Sequence, residues 1–312
     1  MRIAVFGAGA VGGYIGGRLA QAGIDVSFIA RGEHLQAMKE KGIRVESICG
    51  DFNAHPNIIT DDPSKVGEVD AVLLGVKAWQ VSEAAQAMRP IVGPNTFVIT
   101  IQNGVEAPTK VSEILGPDHV VGGLCKMICF ITKPGHLRHA GTEPHIVFGE
   151  LNNKHSERME MLLQSFSKTT GLTAEVSTDI WSDIWKKFLI IAPWSGLGSI
   201  TRSPIGVFRS LPETRQILKR SMQEVFQVAL SHDIDLPKDA VKTTLAFLDT
   251  LPKEGTASMQ RDIMEGRPSE LKEQNGAVVR LGQTAGVDTP INAFIYHSLL
   301  PLELIARGQL QF

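Results

Sequence analysis

The stretch RIAVFGAGAVGGYIGGRLAQAG, from Arg2 to Gly23, decides the fold of the first half of the chain. Its apolar opening, Ile3 to Phe6, predicts a buried strand, and the residues that follow have helical periodicity. Between the two lie Gly7, Gly9 and Gly12 in the pattern G-x-G-x-x-G. Here the first glycine permits a tight turn, the second lets the backbone approach a pyrophosphate, and the third lets helix and strand pack closely.

The start of that helix offers free N–H groups and the positive end of the helix dipole to a phosphate. We therefore predict dinucleotide binding at Gly7, Gly9, Ala10 and Gly12. NAD-specific folds place an acidic residue about 20 residues further on, where it holds the ribose 2′-OH. This chain has Arg31 there, and a guanidinium binds a 2′-phosphate with two parallel hydrogen bonds. The sequence favours NADP(H) as cofactor, with a solvated loop arginine as the alternative.

The rest of the first half alternates strands with helical segments, which is typical of βαβ units and a parallel sheet. Short strands separated by turns from Val120 to Gly149 predict an antiparallel extension. After Thr178 the pattern is helical, with segments from Asp179 to Ile191 and from Ser269 to Ala285. We expect an α/β, Rossmann-type, doubly wound domain over residues 1–178 and an all-α domain over residues 179–312.

The composition excludes several classes of protein. The 312 residues are 43% hydrophobic and 21% charged, with a formal net charge of -2, so no basic footprint for nucleic acid is present. No apolar run is long enough for a membrane span, and the opening MRIAVFGAG does not fit a signal peptide, so we expect a cytoplasmic location. The sparse cysteines Cys49, Cys125 and Cys129 argue against a disulfide framework. His136 and His139 have no third ligand nearby, and we predict no metal site.

Two lysines stand at the head of an apolar run in WKKFLIIAPWSG, from Trp185 to Gly196. In a helix Lys186 lies above Ile190 and Lys187 above Ile191. Both lysines can reach solvent from such positions. Alternatively, one of them is a proton donor held in an apolar pocket.

Several short stretches together resemble the ketopantoate reductase (2-dehydropantoate 2-reductase) family over nearly the whole chain. They are GAGAVGG, Arg31, VKAWQV at 76–81, QNGVE at 102–106, IWKKF at 184–188, ASMQRDI at 257–263 and SELKEQNG at 269–276. The resemblance implies hydride transfer from NADPH to the ketone carbon of a 2-oxo acid, with Lys187 as the general acid. A lysine beside the developing alkoxide stabilises its charge and then supplies the proton.

The resemblance also implies roles for other residues. Glu270 would position the substrate hydroxyl, Ser258 would hold the substrate carboxylate, and Lys77 would add a second charge. Asn103 would anchor the nicotinamide, and Arg31 the 2′-phosphate. Each has a structural alternative: a first-turn acid for Glu270, a helix cap for Ser258, a surface lysine for Lys77 and an Asn-Gly turn for Asn103.

The chain departs from the family at the substrate pocket. Family members carry asparagine where this chain has Ile191 and Ser195, one and two turns beyond the lysine, and Gly255 replaces another asparagine. Trp194 lies on the same helical stripe, and Pro193 is expected to interrupt the helix. We keep Ile191 and Ser195 as candidate substrate contacts. A site built to hydrogen-bond a substrate hydroxyl discriminates strongly, and this pocket is expected to be more apolar than such a site.

Three functions remain open on this basis. The first is reduction of ketopantoate to pantoate by NADPH, and the second is the same chemistry on a more apolar ketone or hydroxy acid. The third is a non-catalytic NADP(H)-binding regulator. The expected partner is a small 2-oxo acid; the sequence leaves a homodimer open.

Overall fold

The computed structural model describes residues 1–311, which form two compact units. The first unit comprises residues 1–102 and 107–180, and the second comprises residues 103–106 and 181–312. The short segment 103–106 therefore groups with the helical part of the chain, although the sequence around it belongs to the first unit.

The first unit is built on one mixed sheet of ten strands. The strands are β1 (Arg2–Phe6), β2 (Asp25–Ile29), β3 (Ile43–Ser47), β4 (Phe52–Ala54), β5 (Ile58–Thr60), β6 (Val69–Leu74), β7 (Val92–Thr100), β8 (Val120–Lys133), β9 (His136–Glu150) and β10 (Thr173–Val176). Their order is β4-β3-β9-β8-β7-β6-β1-β2-β5, and β10 pairs with β9. The pairs β3–β4 and β8–β9 are antiparallel, and the other neighbouring pairs on this path are parallel.

Helices cover both faces of the sheet. They are α1 (Ala10–Gln21), α2 (Gly32–Lys41), α3 (Val81–Ala87), α4 (Ala107–Leu115) and α5 (Glu157–Ser167). Within β1, Ile3 and Val5 pack in one buried cluster with α1, α2 and α5, whereas Ala4 and Phe6 pack in another with α3 and α4. Alternate side chains of a strand point to opposite faces, so a strand that is buried on both sides reads as a continuous apolar run. The predicted doubly wound α/β fold is confirmed.

The antiparallel extension differs from the sequence prediction. We expected several short strands between Val120 and Gly149, but β8 and β9 are two long strands that pair from Val121–Glu150 to Lys133–His136. One of the expected turns was the segment AGTEP at 140–144, which contains glycine and proline, but this segment lies within β9. The pairing of β8 with β9 shifts register between Lys126 and Ile128 and again between Ile131 and Lys133. Such bulges accommodate extra residues in one strand while the strand continues.

The second unit is all helical outside the segment 103–106. Its helices are α6 (Ile180–Thr201), α7 (Ile205–Phe208), α8 (Pro212–Ser231), α9 (Ala240–Thr250), α10 (Ser258–Met264), α11 (Asn275–Ala285) and α12 (Pro290–Ala306). A buried cluster of Met259, Ile263, Leu271, Ile295 and Leu299 joins α10, α12 and the turn before α11. In the described residues, no helix is both long enough and apolar enough to cross a membrane.

The predicted end of α6 near Pro193 is wrong. The helix continues through Pro193 to Thr201. A Cβ on Gly196 would lie 2.6 Å from the Asn275 side chain, and one on Gly198 would lie 2.5 Å from that of Gln260. The glycines that resemble a helix break in the sequence therefore allow close packing, and such tertiary contacts outweigh low helix propensity.

The predicted start of α11 at Ser269 is also wrong, because residues 271–274 form turns and the helix begins at Asn275. The buried carboxylate of Glu303 accepts hydrogen bonds from the Ser269 backbone N–H at 3.1 and 3.0 Å, and Arg307 pairs with the same carboxylate at 2.6 Å. This contact from α12 holds the chain in a non-helical path before Glu270.

Candidate active site

The glycine loop after β1 has the geometry of a phosphate-binding turn. Gly7 adopts a φ of +95°, which favours glycine, and its N–H donates to Ile29 at 2.9 Å. A Cβ on Gly12 would lie 2.4 Å from the Gly7 carbonyl oxygen, so only glycine fits there. Around a Cβ built on Gly9, by contrast, no heavy atom lies within 4 Å.

Helix α1 starts directly after this loop, with Gly9 as N-cap and Ala10 as its first residue. No side chain caps the helix start, and no acidic residue lies in its first turn. The N–H groups and the dipole of a helix that starts in this way favour an anion. The four loop residues predicted from the sequence therefore fit the pyrophosphate of a dinucleotide.

Arg31 lies at the carboxyl end of β2, as N-cap of α2. Its side chain is 67% exposed and pairs with Glu83 at 3.2 Å. Glu83, in the first turn of α3, was not anticipated from the sequence. The two partners are separated by 52 positions in the sequence, and no local pattern predicts their contact.

Lys77 belongs to the loop after β6. Its side chain is exposed, its N–H donates to the Gln80 side chain at 3.3 Å, and its Nζ lies 5.8 Å from the centroid of the Trp79 ring. The ammonium group thus lies against an aromatic ring at the carboxyl end of a parallel strand, the edge of the sheet where α/β folds bind ligands.

The two neighbouring lysines of α6 have different surroundings. Lys186 is exposed and forms an ion pair with Asp183 at 3.1 Å, one turn earlier. Lys187 is half-buried, between the buried residues Phe188 and Ile184 of the same helix. Lys186 has the environment of a solvated surface residue, whereas Lys187 as a whole is less exposed than its neighbour.

The predicted substrate contacts beyond Lys187 are one apolar and one polar residue of α6. Ile191 is half-buried, and Ser195 is only 1% exposed. The indole Nε1 of Trp194 is buried without a hydrogen-bond partner in the described residues. A Cβ on Gly255 would lie 3.7 Å from the Trp194 ring, so the indole edge occupies the space beside this glycine.

Glu270 is a buried carboxylate that precedes α11 in the second unit. It is 4% exposed, and its Oε2 accepts hydrogen bonds from Asn103 Nδ2 at 3.1 Å and from Gln274 Nε2 at 3.4 Å. Asn103 and Glu270 were both predicted as site residues, and the fold brings them together across 167 residues. Gln274 was missed, although its position four residues after Glu270 in a helix-like turn was a usable signal.

The segment around Asn103 is fixed by two further contacts in the second unit. Gly104 has a φ of +102°, and a Cβ there would lie 2.8 Å from the Glu273 carbonyl oxygen. Glu106 pairs with Arg280 of α11 at 2.8 Å. The Asn-Gly pair is therefore a turn, as the structural alternative supposed, and this turn also presents the Asn103 amide to a buried carboxylate.

Ser258 is the first residue of α10, and the N-cap is Ala257. Ser258 is half-buried. The alternative of a simple helix cap is therefore wrong for Ser258, because the capping position belongs to its neighbour.

Comparison with known proteins gives the family. The family model described as ketopantoate reductase PanE/ApbA matches residues 3–153, and the model of its C-terminal part matches residues 179–303. The chain belongs to the ketopantoate reductase family. The resemblance inferred from the short motifs is thereby confirmed.

Individual relatives span nearly the whole chain. The 2-dehydropantoate 2-reductase of Nostoc sp. is 29% identical over 303 residues, covering 96% of this chain and 94% of the relative. The uncharacterized oxidoreductase YkpB of Bacillus subtilis is 27% identical over 301 residues, covering 96% and 98%. The crystal structure of a PanE/ApbA family ketopantoate reductase from Ralstonia eutropha is 30% identical, with a TM-score of 0.90 and coverage of 98% and 100%.

The protein is thus an oxidoreductase of the ketopantoate reductase type that acts on a CH–OH group and uses a nicotinamide coenzyme. The glycine loop and the uncapped start of α1 fit the coenzyme's pyrophosphate. The second unit carries both Lys187, which is half-buried, and Glu270, which is buried.

Proposed function

We propose that the protein reduces a 2-oxo acid to the 2-hydroxy acid with NADPH, and that ketopantoate is the first substrate to test. The hydrogen bond from Asn103 to the buried carboxylate of Glu270 is the observation that carries the proposal. It joins two residues that the family resemblance implies for coenzyme and substrate, in the same unit as Lys187.

The coenzyme, when bound, supplies a hydride to the ketone carbon of the substrate. Lys187 stabilises the negative charge that develops on the carbonyl oxygen and transfers a proton to it, and solvent then reprotonates the lysine. The side chains of Asn103 and Gln274 each donate a hydrogen bond to Oε2 of Glu270 and thereby orient this carboxylate, which accepts a hydrogen bond from the nascent hydroxyl.

The remaining site residues bind and orient in this proposal. Ser258 and Lys77 hold the substrate carboxylate, and Ile191 and Ser195 line the pocket. Gly7, Gly9, Ala10 and Gly12 receive the pyrophosphate, and Arg31 receives the 2′-phosphate. The exposed guanidinium of Arg31 at the end of β2 supports NADPH over NADH.

The matched lysine pair tests the mechanism. Lys187→Met is expected to lower kcat for the active oxo acid by about 10²- to 10⁴-fold, the range for loss of a general acid. Lys186→Met removes an equal charge one residue away and is expected to leave kcat nearly unchanged, because Lys186 is exposed and paired with Asp183. Equal rates of NADPH oxidation for both variants would remove Lys187 from the reaction.

A second candidate function is reduction of a bulkier, more apolar 2-oxo acid, and the contact between Trp194 and Gly255 favours it. A Cβ built on Gly255 lies at ordinary van der Waals distance, 3.7 Å, from the indole ring, so an apolar ring borders the position where the family resemblance implies an asparagine. A pocket without that amide discriminates less against substrates that lack a hydroxyl.

A panel of oxo acids separates the two candidates. Under the second, kcat/KM is higher for long-chain or aryl oxo acids than for ketopantoate, and Trp194→Ala together with Gly255→Asn shifts the preference toward ketopantoate. A preference for ketopantoate in the unaltered protein would reject the second candidate. Absence of turnover with every oxo acid, despite tight NADPH binding, would favour the non-catalytic alternative.

A further inference from the structure

The ion pair between Arg31 and Glu83 engages both terminal nitrogens of the guanidinium. Nη1 and Nη2 each donate to the same Glu83 oxygen, Oε1, at 3.2 Å. Both side chains are about two-thirds exposed, at 67% and 66%. The carboxylate thus occupies the guanidinium edge that would form two parallel bonds to a phosphate.

The sheet order explains why these residues meet beside the glycine loop. Strand β1 pairs in parallel with β2 on one side and with β6 on the other. Arg31 follows β2, and Glu83 lies in the first helix after β6. The carboxyl ends of the three strands share one edge of the sheet, so Arg31 and Glu83 approach from the two flanks of the loop after β1.

A 2′-phosphate bound at Arg31 would lie near a second anion. To bind this phosphate, the guanidinium must give up its hydrogen bonds to Glu83. The phosphate would also be repelled by the nearby negative charge of the Glu83 carboxylate. A ribose with a free 2′-OH carries no charge there and can donate a hydrogen bond to the same carboxylate, as acidic residues do in NAD-specific folds.

We propose that Glu83 sets the coenzyme preference of this protein. Its carboxylate competes with the 2′-phosphate of NADPH for Arg31, and it accepts a hydrogen bond from the 2′-OH of NADH. This inference rests on the proposed function, in which Arg31 binds the 2′-phosphate. Its consequence is an enzyme that discriminates weakly between the two coenzymes, although it carries the arginine typical of NADP(H) binding.

The test compares dissociation constants for NADPH and NADH, measured by coenzyme fluorescence, in the unaltered protein and in three variants. Glu83→Gln is isosteric and removes the competing charge. Glu113→Gln, an exposed carboxylate of α4, is the control for the same change in net charge. Arg31→Gln reports on the 2′-phosphate site itself.

Glu83→Gln is expected to tighten NADPH binding by roughly two- to fivefold, the range of an exposed ion pair, and to weaken NADH binding. The gain is expected to shrink at ~1 M salt, where screening acts over about 3 Å. Glu113→Gln should change neither constant.

Two failures remain distinguishable. An unchanged or weakened NADPH affinity in Glu83→Gln overturns the role of Glu83, and weakening in particular would show that Glu83 orients Arg31 for the phosphate. If Arg31→Gln leaves the ratio of the two constants unchanged, the 2′-phosphate role of Arg31 fails, and the inference about Glu83 fails with it.

Discussion

Gly9→Ala is expected to weaken coenzyme binding without loss of stability, whereas Gly12→Ala is expected to destabilise the fold as well. Both glycines lie in the loop after β1 or the first turn of α1. A Cβ on Gly9 meets no heavy atom within 4 Å, and the φ of Gly9 is −79°, which any residue adopts. A Cβ on Gly12 lies 2.4 Å from the Gly7 carbonyl oxygen and 3.0 Å from Val5 Cγ1.

These distances set the expected magnitudes. Gly9→Ala should change the free energy of unfolding by no more than about 1 kcal/mol, because the native conformation accepts a side chain. Its methyl group would keep a pyrophosphate from the loop N–H groups, and each charge-assisted hydrogen bond lost costs about 1.5–3 kcal/mol, or roughly 10- to 100-fold in Kd. In Gly12→Ala, the new Cβ would lie about 1 Å closer to the Gly7 carbonyl oxygen than the 3.4 Å at which ordinary contact begins. Because this oxygen belongs to the backbone and cannot easily move, the substitution should destabilise the unit by about 1–3 kcal/mol.

Two measurements on each variant separate these effects: urea unfolding followed by circular dichroism, and NADPH titration followed by fluorescence. Gly9→Ala should be stable but weak in binding, whereas Gly12→Ala should lose stability as well. Normal NADPH affinity in Gly9→Ala would refute the approach of the pyrophosphate to this loop. Unaltered stability in Gly12→Ala would refute the close packing of α1 on the loop.

Three further predictions concern stability. Arg158→Met should destabilise the protein by about 2–3 kcal/mol in urea unfolding, since Arg158 donates to both oxygens of the nearly buried Glu150 but is itself 30% exposed. Burial lowers the pKa of His34, whose Nδ1 accepts a hydrogen bond from the Gly135 backbone N–H. The imidazole therefore binds a proton more readily in the unfolded chain than in the folded protein. Stability should therefore fall as the pH drops below about 6.5, and His34→Gln should reduce that loss. Gly104→Ala should lower the melting temperature, because φ is +102° and Glu273 blocks a Cβ; an unchanged value would contradict this turn.

The sequence predicted the elements of the first unit well and the ends of several elements poorly. Strand β1, the glycine turn and α1 follow from local sterics and from alternating burial, which a single stretch of residues displays. Helix α6 was predicted to end near Pro193 because proline and glycine lower helix propensity, but α6 continues to Thr201. The buried amides of Asn275 and Gln260, which pack against its glycines, lie more than 60 residues further along the chain.

What the sequence alone determined is therefore local: the loop of Gly7, Gly9 and Gly12, and the placement of Lys187 in an apolar helical stretch. Tertiary structure alone decided which distant polar groups meet. It brings Asn103 to Glu270 and Glu83 to Arg31, and neither pair has a pattern in the chain that predicts it. The physical reason is that backbone sterics and periodicity act over a few neighbouring residues, whereas a hydrogen bond between distant residues forms only after the strands and helices that carry them have packed.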